Sequence, residues 1–157
     1  MSIDVNNVSK SFITKDKDFT AVKDINLHVD DGEFICLLGP SGCGKTTILR
    51  ILGGFISPSS GNIFVSDKDI TNLGPEKRNM GTVFQNYALF PNMTVEENVA
   101  YGLEIKKLPK KEIAQKCDKY LELVGMKDYR KKRIDELSGG QQQRVARARA
   151  LATEPTM

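Results

Sequence analysis

Residues 3–29 alternate loosely between apolar and polar positions and are rich in Val, Ile, Thr and Phe. Period-two alternation with β-branched residues predicts two antiparallel strands, joined through the polar run Lys15, Asp16, Lys17 and Asp18. The pattern then changes. Residues 33–39, EFICLLG, form a continuous apolar run, which predicts a strand buried on both faces. A glycine-rich loop follows, and residues 46–55, TTILRILGGF, return to helical spacing. SPSSG breaks that helix, and NIFVSDKDI predicts a strand and a turn. Residues 81–85, GTVFQ, make another short buried strand candidate.

The second half is helical in pattern. Thr94 and Glu97 form T-x-x-E, a capping box that opens a helix through about Leu103. Pro109 suits the first turn of another helix. Along it Ile113, Cys117, Tyr120, Leu121 and Val124 share one face, and Gly125 stops it. Residues from about 90 to 135 are therefore expected to be helical and to lie between two sheet-like regions. The whole reads as an α/β core with a helical insertion.

Composition narrows the class. The chain has 157 residues, which suits one domain, and 39% hydrophobic with 27% charged residues is a soluble globular balance. A net charge of +3 is too close to balance to point to nucleic acid. No apolar run approaches the ~18 residues of a membrane helix, and the N-terminus lacks a signal-peptide core. Cys36, Cys43 and Cys117 are far apart and match no metal spacing, so they read as reduced thiols of a cytosolic protein. There is no internal repeat.

Residues 39–46, GPSGCGKT, fit G-x-x-x-x-G-K-[ST], with a strand expected before and a helix after. The residue types suit phosphate. Gly39, Gly42 and Gly44 let the backbone turn tightly, so that amide N–H groups point at phosphate oxygens around Pro40, Ser41 and Cys43. The new helix adds its positive end. Lys45 brings charge to the β- and γ-phosphates, Thr46 offers a hydroxyl to Mg²⁺, and Thr47 adds a further contact. Against this stands a chance glycine-rich turn, which would have no need of Lys and Thr in register. Cys43 reads as a small spacer rather than a redox switch. The motif alone leaves kinases, GTPases, motor ATPases and transporters open.

LSGGQQQR, from Leu137, is a second helix start suited to an anion. Ser138 is a natural N-cap, and Gly139 and Gly140 leave their N–H groups unobstructed. An ordinary capped helix would look similar. Two complete phosphate sites in so small a domain make more sense if the second closes over a nucleotide held by another subunit.

With these motifs in order, the chain resembles the ATP-binding cassette (ABC) ATPases over essentially its whole length. GPSGCGKTT resembles their Walker A loop, Gln85 in VFQNYALFP their Q-loop, and LSGGQ, ending at Gln141, their signature motif. The resemblance implies a P-loop core of ABC type with N-terminal antiparallel strands, a helical insertion and an incomplete central sheet. It implies one partial nucleotide-binding domain over 1–157: a β subdomain and phosphate-loop core at 1–88, a helical subdomain at about 89–135, and the signature motif with its helix at 136–157. It also implies ATP and Mg²⁺, with Phe12 stacking on adenine, unless Phe12 is simply a core strand residue. Gln85 would contact Mg²⁺ or the attacking water, and Lys45 and Gln85 would be the catalytic groups present. A second ATPase subunit would pair head to tail, placing Ser138, Gly139, Gly140 and Gln141 on the partner's ATP.

The run from Pro75 to Leu103 resembles ATPases of binding-protein-dependent importers, with QNYALFP leaning toward the polyamine and iron branch. A segment from Tyr87 to Val99 would then dock a membrane permease, and the protein would sit on the cytoplasmic face of a bacterial cell membrane. Asn92 stands where many relatives have His. Gly53, near the end of the Walker A helix, stands where Ala is common, and Arg147 where an aliphatic residue is usual. The basic runs at 106–111 and 130–133 read as solvated, and His28 as a strand surface residue. In the family a strand ending in Asp-Glu, a D-loop and a switch histidine follow ATEP. None lies within 1–157, so this chain is expected to hydrolyse ATP poorly and to be unstable alone. The alternatives are a truncated, non-catalytic fragment that binds nucleotide or a partner, and a DNA-associated cassette ATPase. The latter usually carries coiled coils or zinc cysteines that are absent here.

Overall fold

Ile3, Val5 and Val8 point inward from one strand while their neighbours face outward, the alternation a half-buried sheet requires. This is β1 (Ile3–Ile13), and it pairs antiparallel with β2 (Asp18–Val29). The computed structural model describes residues 2–13 and 18–156; the expected polar link at 14–17 lies outside them. The chain divides into two compact units, Met1–Met80 and Gly81–Met157.

In the first unit, β3 (Ser60–Val65) pairs with the other edge of β1, and β4 (Lys68–Asp69) closes a hairpin on β3. The sheet order is β2-β1-β3-β4, antiparallel throughout. The register of β1 shifts after Val5, and Asn7 turns to φ 50 there. A reciprocal bracket holds this irregularity: Asn7 N–H donates to Asn26 Oδ1 (2.9 Å), and Asn26 Nδ2 donates to Asn7 Oδ1 (3.1 Å). Helix α1 (Lys45–Leu52) contributes Ile48 and Ile51 to a core with Ile3, Val5, Val8, Val22, Ile63 and Ile70. Full burial of each such side chain contributes about 1.5–3 kcal/mol. Gly53 is not in the helix interior. It is the C-cap of α1, and a Cβ there would meet the Phe55 ring at 2.7 Å, so an alanine would require that partly exposed ring to shift.

The second unit packs three helices, α2 (Val95–Ile105), α3 (Lys110–Leu123) and α4 (Gly139–Ala152). Both elements of the expected capping box form at α2: Glu97 N–H donates to Thr94 Oγ1, and Thr94 N–H donates to Glu97 Oε2. Pro109 occupies the N-cap of α3, and Gly125, at φ 66, follows its end. Cys117, Tyr120 and Leu121 are buried, and Ile113 and Val124 pack against the same core. Val95, Val99, Leu103, Val145, Ala148 and Ala152 complete it. Among the described residues, no helix is long and apolar enough to cross a membrane.

Two strand expectations fail. Residues 33–39 and 81–85 form no strand; Phe34 is 92% and Leu38 86% exposed. An apolar run states a preference for burial, but a strand exists only as one side of a ladder. No described segment pairs with either run. For the same reason no second sheet-like region follows the helices: α4 comes next. The basic run at 130–133 is also not wholly solvated. Arg130 grips the Glu96 carboxylate through Nε and Nη2 and reaches Asp118 Oδ1 at 2.8 Å, tying α2 to α3.

Candidate functional site

In the first unit, the loop of Gly39, Pro40, Ser41, Gly42, Cys43 and Gly44 leads into α1. Gly44 is the N-cap, at φ 93, and no side chain caps the helix. The loop lies against β2: a Cβ on Gly44 would stand 2.5 Å from the Ala21 carbonyl oxygen and 2.6 Å from Val22 Cγ1. Only glycine supplies both that backbone angle and that approach. The first-turn N–H groups of α1 are thereby left without a side-chain acceptor.

Lys45 folds back onto the loop that precedes it. Its ammonium donates to the carbonyls of Gly39 and Pro40, 2.7 Å each, and stands 3.4 Å from Cys43 Sγ. These are acceptors that an anion's oxygens can replace. Thr46 is exposed on the first turn, and Thr47 is half-buried beside it. A positive helix end, an ammonium and two hydroxyls are together a candidate cradle for phosphate.

Phe12 sits on β1 directly opposite Phe19 on β2, and both rings are exposed, at 40% and 55%. Phe12 is therefore not a core strand residue. Lys10 Nζ lies 5.3 Å from the centre of its ring. Since Ala21 touches the phosphate loop, this aromatic pair stands two residues, about 7 Å, along the same strand from the cradle.

In the second unit, Gln85 is exposed at the corner of a turn closed by the Tyr87 N–H donating to the Phe84 carbonyl, 2.9 Å. Ser138 caps α4. Its hydroxyl accepts from the Gln141 N–H at 3.3 Å, and Gln141 Oε1 accepts from the Ser138 N–H at 2.9 Å. Nothing lies within 4 Å of where a Cβ would stand on Gly139 or Gly140, so a side chain at either position would meet open space. Arg147 is exposed on α4 and Asn92 is exposed on its loop.

Three polar side chains that matter here were hidden in the sequence. Arg78, 6% exposed, donates to four main-chain carbonyls around the end of α1. Asn98, fully buried, satisfies both the N–H and the carbonyl of Phe90. Arg149 donates to the carbonyls of Tyr87 and Ala88, and burial lowers its pKa from the ordinary arginine value. The only available signal was position: Asn98 and Arg149 fall beside the apolar stripes of their helices. Arg78, within PEKRNM, gave none.

A family model described as ABC transporter matches residues 22–157. The spermidine/putrescine import ATP-binding protein PotA of Fusobacterium nucleatum is 51% identical over 153 residues, 98% of this chain and 40% of that protein. The protein of the same name from Acetivibrio thermocellus is 54% identical over 153 residues, 98% of this chain and 42% of its own length. The chain thus spans less than half of these relatives. Among solved structures, the dimeric post-hydrolysis state of the ATP-binding cassette MJ0796 bound to ADP and Pi matches with TM-score 0.88 at 32% identity, over 98% of this chain and 70% of that one. A second dimeric structure of MJ0796, described as a bacterial ABC transporter cassette, matches with TM-score 0.89 at 33% identity over the same shares.

Proposed function

The chain belongs to the ABC transporter family, and from that premise we propose that it forms the ATP-binding portion of a transport ATPase that powers a binding-protein-dependent importer. The observation that carries this reading is the Lys45 ammonium held 2.7 Å from the Gly39 and Pro40 carbonyls at the uncapped start of α1. When ATP enters, Lys45 exchanges those carbonyls for β- and γ-phosphate oxygens, and the N–H groups around Gly42, Cys43 and Gly44 take the remaining phosphate charge. Phe12 stacks on adenine, a contact of the kind that contributes about 1–3 kcal/mol per base.

Mg²⁺ favours hard oxygen donors and keeps several waters. The Thr46 hydroxyl and the Gln85 carboxamide are each an exposed oxygen donor of that class, and each is proposed as an Mg²⁺ contact. When bound, the ion would supply neutralisation of the phosphate charge. Lys45 and Gln85 are assigned to neutralise charge and to orient, roles that serve binding of the phosphates. Residues 1–157 therefore bind ATP better than they hydrolyse it.

We assign 1–88 to a β subdomain with the phosphate-loop core, 89–135 to a helical subdomain, and 136–157 to the signature motif and its helix. Ser138, Gly139, Gly140 and Gln141 close over the ATP of a second subunit in a head-to-tail pair; the dimeric state of the matching structures supports this. The segment from Tyr87 to Val99 receives a membrane permease subunit at the cytoplasmic face. Relatives named for spermidine/putrescine import support a polyamine cargo.

The test is equilibrium binding of Mg-ATP to the chain and to Lys45→Ala. The expected result is a loss of at least tenfold in the variant, and equal affinities would overturn the assignment. Brisk ATP turnover by residues 1–157, abolished by Lys45→Ala, would overturn the proposed poor hydrolysis.

A further inference from the structure

Tyr87 and Ala88 are consecutive non-glycine residues in the left-handed region, at φ 62 and φ 46. L-residues disfavour that conformation, and it persists only where the surroundings over-determine it. Here the surroundings include two local backbone bonds, Tyr87 N–H to the Phe84 carbonyl and Ala88 N–H to the Asn86 carbonyl, and one side chain from a distant element. Arg149 donates through Nη1 to the Ala88 carbonyl at 2.7 Å and through Nη2 to the Tyr87 carbonyl at 3.0 Å. The two prongs of a planar fork hold both carbonyls at a fixed spacing, a rigidity that a freely rotating ammonium lacks. The same guanidinium lies 5.4 Å from the centre of the Phe90 ring, and that ring stands 4.4 Å from Tyr101 of α2. Beyond Phe90, the Asn98 side chain takes over, bonding the Phe90 N–H and the carbonyls of Phe90, Met93 and Thr94.

The clamped carbonyls belong to the residues that end the Gln85 turn. Tyr87 closes that turn with its N–H and offers its carbonyl to Arg149. Arg149 itself lies on α4, whose first turn is capped by Ser138. The two are eleven positions apart on one continuous helix, about 16 Å along the axis. The Gln85 turn and the Ser138 helix start are thus attached to one rigid element at its opposite ends.

We propose that Arg149 is a positioning residue: it locks the turn carrying Gln85 onto α4, so that a displacement of Gln85 moves the helix start at Ser138 with it. The proposal rests on the reading of Gln85 as a nucleotide and Mg²⁺ contact and adds how that contact is conveyed to the second anion-ready surface. Arg149 touches neither ligand.

The experiment uses the full chain with Arg149→Ala and Arg149→Lys, and has two arms. In the first, amide hydrogen exchange is followed residue by residue. Arg149→Ala is expected to speed exchange of the Tyr87 amide at least tenfold, while the amides of Val145 and Ala148 keep their protection. Arg149→Lys, which keeps the charge and one donor direction, falls between. In the second, affinity for an ATP analogue is measured with and without Mg²⁺. The expected result is unchanged affinity without Mg²⁺ and a loss of the Mg²⁺-dependent gain. An unaltered Tyr87 amide overturns the proposal, and so do equal losses with and without Mg²⁺, which a merely structural role would give. If Arg149→Ala does not fold, the Lys variant decides by the same criteria. If the unaltered chain binds no nucleotide, the phosphate-loop reading fails, while the exchange arm still decides whether Arg149 holds the turn.

Discussion

Arg78 Nη1 donates to the Ile51 carbonyl at 2.7 Å, joining a residue just before the unit boundary to the last turn of the helix that begins at the phosphate loop. The same guanidinium reaches the carbonyls of Leu52 (2.6 Å), Leu73 (2.8 Å) and Thr71 (3.0 Å). A helix end leaves its last carbonyls without intrahelical partners, and a cation placed there also meets the negative end of the helix dipole. Arg78 answers both needs for α1, which bears Lys45 at its other end.

Removing that guanidinium leaves several carbonyls short of a donor inside a packed core. Arg78→Met is expected to destabilise the first unit by about 3 kcal/mol, and Arg78→Lys by about half of that, since one ammonium satisfies fewer acceptors. Urea unfolding of the variants measures it. A loss below about 1 kcal/mol for Arg78→Met would mean that water replaces the guanidinium at little cost.

The two glycine-bearing motifs differ sharply in what they tolerate. At Gly44 a methyl group meets the Ala21 carbonyl at 2.5 Å and the backbone stands at φ 93. Gly44→Ala is therefore expected to destabilise the chain by about 2 kcal/mol or more, through strain and a forced shift of β2. At Gly139 nothing lies within 4 Å and the residue opens a regular helix. Gly139→Ala is expected to raise stability by up to about 1 kcal/mol. Thermal unfolding of both variants side by side checks the opposed signs.

How much of this was visible in the sequence depended on distance along the chain. The Thr94–Glu97 box, Pro109 before α3, Gly125 after it and the glycine-rich turn into α1 are all specified within a few residues, and all form. Arg78 could not be read this way. Its acceptors at Ile51 and Leu52 lie 27 and 26 residues away and are main-chain carbonyls, which carry no sequence signature. Arg149 reaches back 61 and 62 residues for the same kind of partner. Residues 33–39 fail for a related reason: an apolar run records a demand for burial, whereas the ladder that would make it a strand depends on another segment.

Thiol chemistry separates the three cysteines. Burial pushes the Cys117 thiol up to about 11, while Cys36 and Cys43 are exposed. The thiolate is the reactive form, so at pH 8 Cys117 is both shielded and protonated. Titration with a thiol reagent is expected to label Cys36 and Cys43 in the native chain and Cys117 only on unfolding. Rapid labelling of Cys117 under native conditions would mean that the core beneath α3 opens readily.

The single histidine makes stability depend on pH. His28 Nδ1 lies 2.6 Å from Asp4 Oδ1, its cross-strand partner, and Nε2 lies 3.2 Å from Asp30 Oδ1. The Asp4 hydrogen bond, then the Asp30 one, raises the His28 pKa above its ordinary 6.5. The folded chain therefore holds this proton more tightly than the unfolded chain does. By linkage, the stabilisation is fully present below about pH 6.5 and is lost as pH rises through the higher folded value. Unfolding midpoints in urea should fall between pH 6 and 8, and His28→Gln should remove that slope. The pair is exposed to solvent, so raising the salt concentration should flatten the slope as well. A midpoint that rises with pH in the native chain, or a slope that survives in His28→Gln, would assign the dependence to other groups.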